Sequence, residues 1–199
     1  MRLMGLGKTI AVGLLGLALS GCVDVDIDVA LTSATTARAT MTQTMSADVY
    51  AMVKMDAESA ETSEPGFCDE GDLVENADGS ATCTMTEQGA FADLDLGQSE
   101  GGISFTAAGP GLVRLALPTA ELNAGLDLDS DMDEQTRQMA MAFFEGHSIS
   151  VTFSGLEIVD TNMTRSADGL SASQAIPMTG LIEGTLALPD ELFAIVRAP

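Results

Sequence analysis

The chain has 199 residues, 46% of them apolar, with thirty acidic residues against eight basic ones and a formal charge of −22. So acidic a balance excludes nucleic acid and anionic headgroups as charge-matched partners, because both are held by clusters of Lys and Arg. The length suits one domain with its own core, and with no Trp, one Tyr and twelve Met that core is expected to be aliphatic and soft.

Residues 1–21 read as a secretory signal peptide: Arg2 and Lys8 at the start, an apolar or Gly run over 10–19, then Ser20 and Gly21. A membrane-spanning helix needs about 20 apolar residues, twice this run. The ending Leu19-Ser20-Gly21-Cys22 resembles the lipobox of bacterial lipoproteins. The resemblance implies cleavage before Cys22 and lipidation of Cys22, by a diacylglyceryl thioether and often an N-acyl chain. At about 0.8 kcal/mol per buried methylene, two or more acyl chains hold a protein on a membrane where one holds it only marginally. The chain then divides into a signal peptide over 1–21 and one exported domain over 22–199, with six basic residues facing thirty acidic ones, a formal −24. In Gram-negative cells an aspartate directly after the lipidated cysteine retains such proteins at the inner membrane. The residue here is Val23, so the expected location is the outer membrane, facing the periplasm.

Val23, Val25, Ile27 and Val29 alternate with Asp24, Asp26 and Asp28, which predicts a strand with one buried and one wet face. The spaced aspartates do not make a calcium loop. That loop asks for Gly at its sixth position and Glu at its twelfth, where counting from Asp24 gives Val29 and Thr35, and from Asp127 gives Met132 and Gln138. Residues 38–46 continue the alternation and are expected to pair back through a turn near 33–36. Ser46-Ala47-Asp48 reads as a helix start, with Tyr50, Met52, Val53 and Met55 following. Residues 58–89 turn to Glu, Asp, Ser, Gly and Pro, with Asp78-Gly79 as a hairpin signal. Cys68 and Cys83 are expected to form a disulfide in an exported chain. No His stands near them and their spacing fits no zinc pattern.

Strands are expected at 103–105 and 112–117. Residues 131–145 read as the best helix, with acidic residues in the first turn where the helix dipole favours them. Met132, Met139 and Phe143 trace one face that is expected to be core, and Gly146 fits the C-cap. His147, the only histidine, is expected to be structural. Residues 148–153 alternate, 156–159 extend them past Gly155, Asp168-Gly169 turns the chain into 170–176, and 186–196 closes it as a strand or helix. Together these predict an α+β fold, an antiparallel sheet with one or two helices packed on one face.

The lipobox entering Val23-Asp24-Val25, together with VTFSGLEIVDTNMTRSADGLSASQAIP over 151–177, resembles the LppM-type bacterial lipoprotein family. The matching parts are Cys22 and the strand after it, 151–153, Thr161-Asn162, Asp168-Gly169 and 170–177. This sequence departs from the family in having no aromatic after the Asp-Gly turn and no apolar anchor after Pro199, and the cysteine loop has no counterpart. The resemblance implies an exported α+β domain with a lipid-binding or envelope-interaction role.

No nucleophile–base–orienter constellation is legible, residues 97–102 lack the Lys-Ser/Thr of a phosphate loop, and no enzyme, cofactor or metal is expected. Three roles fit the residues. In the first, the tethered domain takes a lipid or other apolar ligand into a Met/Leu-lined interior. In the second, an envelope assembly protein meets a partner through its acidic surface. In the third, Met and Asp sequester a metal. The first is preferred.

Overall fold

A computed structural model describes residues 23–59, 67–69, 71–94, 102–120 and 134–199; the leader, Cys22 and residues 60–66, 70, 95–101 and 121–133 lie outside them. β1 (Val23–Leu31), β2 (Thr36–Met45), β3 (Asp72–Glu75), β4 (Ala81–Ala90), β7 (Ser148–Ser154), β9 (Thr164–Arg165) and β10 (Ser171–Pro177) form a seven-stranded sheet in the order β3-β4-β2-β1-β7-β10-β9. A four-stranded sheet, β5-β6-β11-β8, is built from β5 (Ser104–Gly109), β6 (Leu112–Pro118), β8 (Glu157–Thr161) and β11 (Glu191–Arg197). The α+β class expected from the sequence is the one the chain adopts. The finer layout adds the second sheet and one parallel pair, β1 against β7, with Val25 opposite Ile149 and Val29 opposite Phe153.

The alternation in β1 does what period two requires. Val25 and Val29 are buried while Asp26 and Asp28 are exposed, and Ile149, Val151 and Phe153 of β7 follow the same rule. Opposite them, the second sheet contributes Val113, Leu115 and Leu117 from β6, Leu192, Ala194 and Val196 from β11, and Ile158 from β8, all in one apolar cluster. Met45, Met163 and Met178 are the buried methionines among the described residues. The bulk of the core is therefore β-branched and Leu/Phe packing, stiffer than the composition led us to expect.

Two short crossovers, before and after β8, tie the sheets. At Gly155 the chain leaves β7 for β8, so residues 156–159 do not extend the first sheet but enter the second. A Cβ at Gly155 would stand 2.5 Å from Val196 Cγ1 and 2.9 Å from the Arg197 carbonyl, which is why the chain crosses against β11 on a glycine. At Thr161-Asn162 the chain returns to the first sheet and grips β11 in passing. Asn162 Nδ2 donates to the Glu191 carbonyl (2.8 Å), Asn162 Oδ1 accepts from Phe193 N–H (2.8 Å), and Thr161 Oγ1 donates to the Phe193 carbonyl (2.6 Å).

Among the described residues, the α-helices α1 (Ala47–Ser59), α2 (Glu134–Phe143) and α3 (Met178–Ile182) adjoin the end of the first sheet where β1 begins. Val23 pairs with Met45, two residues before α1; β7 opens at Ser148, just after α2; and Pro177, which pairs with Ser148, leads into α3. The expectation that Met139 and Phe143 are core is overturned: α2 has no buried residue, Met139 is 69% exposed and Phe143 is exposed beside it. Buried Met178 and Leu181 of α3, with partly buried Phe144, already pack the core at this end. Met132 lies outside the described residues.

Candidate functional site

The predicted disulfide is present. Cys68 and Cys83 are bonded with their Cα atoms 5.6 Å apart, and Cys83 is buried in β4. The bond pins the segment before β3 against the sheet, and Gly71 leaves room for it, since a Cβ there would come within 2.8 Å of Cys83 Sγ. Phe67, next to Cys68, meets the Tyr50 ring edge-on with centroids 6.2 Å apart. The staple thus draws the cysteine loop onto the first turns of α1.

Between α1 and the 76–80 turn lies an open groove of about 400 Å³, within the size range of small-ligand sites. Its lining includes apolar Tyr50, Ala51 and Met55, charged Lys54 and Glu75, and Gly79 of the turn, which faces Ala47. Gly79 has φ +88°, and a Cβ there would stand 3.2 Å from Ala47 Cβ, so a glycine both makes the turn and lets α1 come close. Asp78 Oδ1 locks the turn by accepting from Ser80 N–H (3.0 Å) and Ser80 Oγ (2.7 Å). Those bonds hold the Asp78 carboxyl below its ordinary range.

Glu75 is the polar centre of the groove. Its Oε1 accepts from Lys54 Nζ and from Tyr50 Oη, each at 2.8 Å, and Lys54 Nζ stands 5.2 Å from the centroid of the Tyr50 ring. The Lys54 bond first and the Tyr50 bond second lower the Glu75 carboxyl, while the hydrogen bond that Tyr50 gives to Glu75 is the main cause raising its phenol. A carboxylate held ionised and a phenol held protonated are poor proton-transfer groups at neutral pH. The arrangement suits recognition, with an apolar wall beside a fixed charge pair. The sequence did not single it out, because Tyr50 and Glu75 are 25 residues apart and carboxylates are too abundant here to draw notice.

His147 is brought to Asp24: Nδ1 lies 3.2 Å from Asp24 Oδ2, Asp24 Oδ1 accepts from Ser148 N–H at 2.9 Å, and the His147 carbonyl accepts from Met178 N–H at 3.0 Å. The histidine thereby joins the starts of β1, β7 and α3. Asp26 and Asp28 stay on the wet face, where partial desolvation between strands, then repulsion from Asp26, raises the Asp28 carboxyl. Among the described residues, no three His, Cys, Asp or Glu side chains gather where they could hold a metal ion. No described helix is long and apolar enough to cross a membrane. Cys22 lies outside the described residues, directly before β1.

No family model matches this chain, and no curated protein matches it. Among solved structures it is similar to the folded domain of the Mycobacterium tuberculosis LppM protein, determined by NMR, at 12% identity and a TM-score of 0.49, over 92% of this chain and 94% of that one. A likeness of that degree carries no argument about function.

Proposed function

We propose that this chain is a non-catalytic lipoprotein of the bacterial cell envelope, held to a membrane by acyl chains on Cys22, with a folded body that binds a small apolar or amphipathic ligand. The signal-peptide pattern ending in Leu19-Ser20-Gly21-Cys22 supports the anchor, and Val23 after it favours the outer membrane. The groove beside α1 carries the binding reading, in a narrower form than a Met/Leu-lined interior. Phe153, Leu115, Ile158, Ile176 and Leu192 fill the space between the sheets, so the ligand lies against Tyr50, Ala51 and Met55 at the surface, its polar end toward Lys54 and Glu75. Mass spectrometry of the protein from bacterial membranes tests the anchor: an acylated Cys22 at the N-terminus is expected, and a bare thiol or a retained leader refutes it. Uptake of an apolar fluorescent probe tests the groove. Ala51→Trp fills the groove and should abolish uptake while leaving the circular dichroism of the fold unchanged; undiminished uptake refutes the assignment.

The same filled interior favours a second reading, an assembly protein that meets a partner through its acidic surface. Cross-linking in intact cells tests it. A basic protein recovered at β3, an edge strand with Leu73 and Val74 exposed, supports this reading, and recovery of no protein counts against it.

A further inference from the structure

The lipid anchor and the folded body are joined without a spacer. β1 is hydrogen-bonded from Val23 onward, with Val23 opposite Met45, and Cys22 is the next residue back. One peptide link spans about 3.8 Å between Cα atoms, so acyl chains on Cys22 bring the end of the sheet where β1 begins down to the lipid surface. That end carries the helices. α1 leaves it two residues after Met45, and α2 reaches it four residues before His147, whose ring meets Asp24. These helices expose the apolar side chains that the core does not take: Met52 is 53% exposed and Met139 69%, with Met55 and Phe143 exposed one turn away on the same helices.

We propose that α1 and α2 form the membrane-facing end of the protein, with Met52 and Met139 seated in the lipid interface and the α1 groove opening at the bilayer surface. The proposal rests on the anchor at Cys22 proposed above and commits to one occupant, a phospholipid bilayer. Charge narrows it further. The same end carries Asp48, Glu75, Asp78 and Glu145 with few cations, Lys54 among them, so a zwitterionic surface is accepted and an anionic one repels it. The opposite end, at the 166–170 turn, is about 25 Å away along the strands, at roughly 3.3 Å per residue. Exposed Leu170 there makes a control.

The chain contains no Trp, so a single introduced Trp reports its own surroundings. Met139→Trp, Met52→Trp and Leu170→Trp are made in the full chain, produced in a bacterium that processes lipoproteins, and the acylated proteins are mixed with phosphatidylcholine vesicles brominated in their acyl chains. Interfacial helices bury their apolar face some 5–10 Å into the headgroup boundary, so about a twofold loss of emission is expected for the two methionine-site variants. The Leu170→Trp signal should be unchanged. Replacing part of the phosphatidylcholine by an anionic phospholipid should weaken the quenching, and added salt should restore it. Vesicle flotation separates the two layers of the argument. Protein that floats without quenching at either methionine site overturns this orientation and leaves the anchor standing, whereas protein that does not float overturns both. Equal quenching at Leu170→Trp overturns the orientation as well. A lipid-free blue shift of Met139→Trp that grows with protein concentration assigns the surface to a second copy of the chain, again against the proposal.

Discussion

Gly155→Ala adds one methyl group where the chain crosses from β7 to β8 against β11, and the structure fixes how badly it fits. The new Cβ stands 2.5 Å from Val196 Cγ1, about 1 Å inside the 3.5–4.0 Å optimum for carbon pairs. Its second neighbour is the Arg197 carbonyl at 2.9 Å, which already accepts from Leu156 N–H at 2.9 Å, while Gly155 N–H donates to the Leu170 carbonyl at 3.0 Å. Val196 is fully buried, and the backbone on both sides is tied, so neither neighbour can give way freely. Overpacking of this kind costs about 1–3 kcal/mol, and the tied backbone puts this site at the upper end. Urea unfolding followed by far-UV circular dichroism should show a lower midpoint with an unchanged slope. Val196→Ala alone should cost about 2 kcal/mol through lost methyl groups and the cavity left. Combined with Gly155→Ala it removes one of the two clashes, so the pair should fall short of the summed single effects by about 1 kcal/mol. A Gly155→Ala protein within 0.5 kcal/mol of the parent, or strict additivity of the pair, refutes the reasoning; the threshold is the usual scatter of independent sites, about 0.5 kcal/mol.

Reducing the Cys68–Cys83 bond, which closes a loop of 15 residues, should lower stability by about 3 kcal/mol in the chain-entropy account; matching urea midpoints with and without reductant would count against a structural bond. Asp28 has a carboxyl raised on folding, so its ionisation opposes the fold above that raised pKa, and the penalty vanishes below the unfolded value. Asp28→Asn should therefore stabilise the protein at neutral pH, with the gain fading in acid; thermal melts at both pH values check this, and a constant difference refutes it. Asp168 is lowered on folding by the hydroxyl of Ser166, then by Leu170 N–H, as Asp78 is by Ser80. Their contributions are complete above the ordinary carboxylate pKa and are lost as pH falls through the depressed one. Amide NMR shifts of Leu170 and Ser80 should therefore titrate below the ordinary carboxylate range, and Asp168→Asn should abolish the step at Leu170 alone.

Where one strand face is wet and the other buried, the sequence is readable. The Val/Asp alternation of β1, the Ser-Ile-Ser-Val-Thr-Phe of β7 and the Asp-Gly turns at 78–79 and 168–169 all name their elements, because period two and positive-φ glycines are local properties. Partners are another matter. Nothing near Val25 says that Ile149, more than a hundred residues on, will lie beside it in parallel, and nothing near Gly155 says that the next strand belongs to a different sheet. The Met139/Phe143 stripe misled for a related reason: periodicity shows that a helix has an apolar side, not that the core has room for it, and α3 had taken that room. The groove was illegible because it exists only once Tyr50 of α1 meets Glu75 of β3 and the turn after it.

The placement of β1 also has a mechanical meaning. It lies in the middle of its sheet, hydrogen-bonded to β2 on one side and to β7 on the other. Any tug transmitted from the N-terminus runs lengthwise along this strand and loads both ladders in shear, so their bonds must give way together instead of peeling off one after another. If the N-terminus is anchored as proposed, a body gripped at that point will stay folded under drag, and the weak link will be the anchor itself.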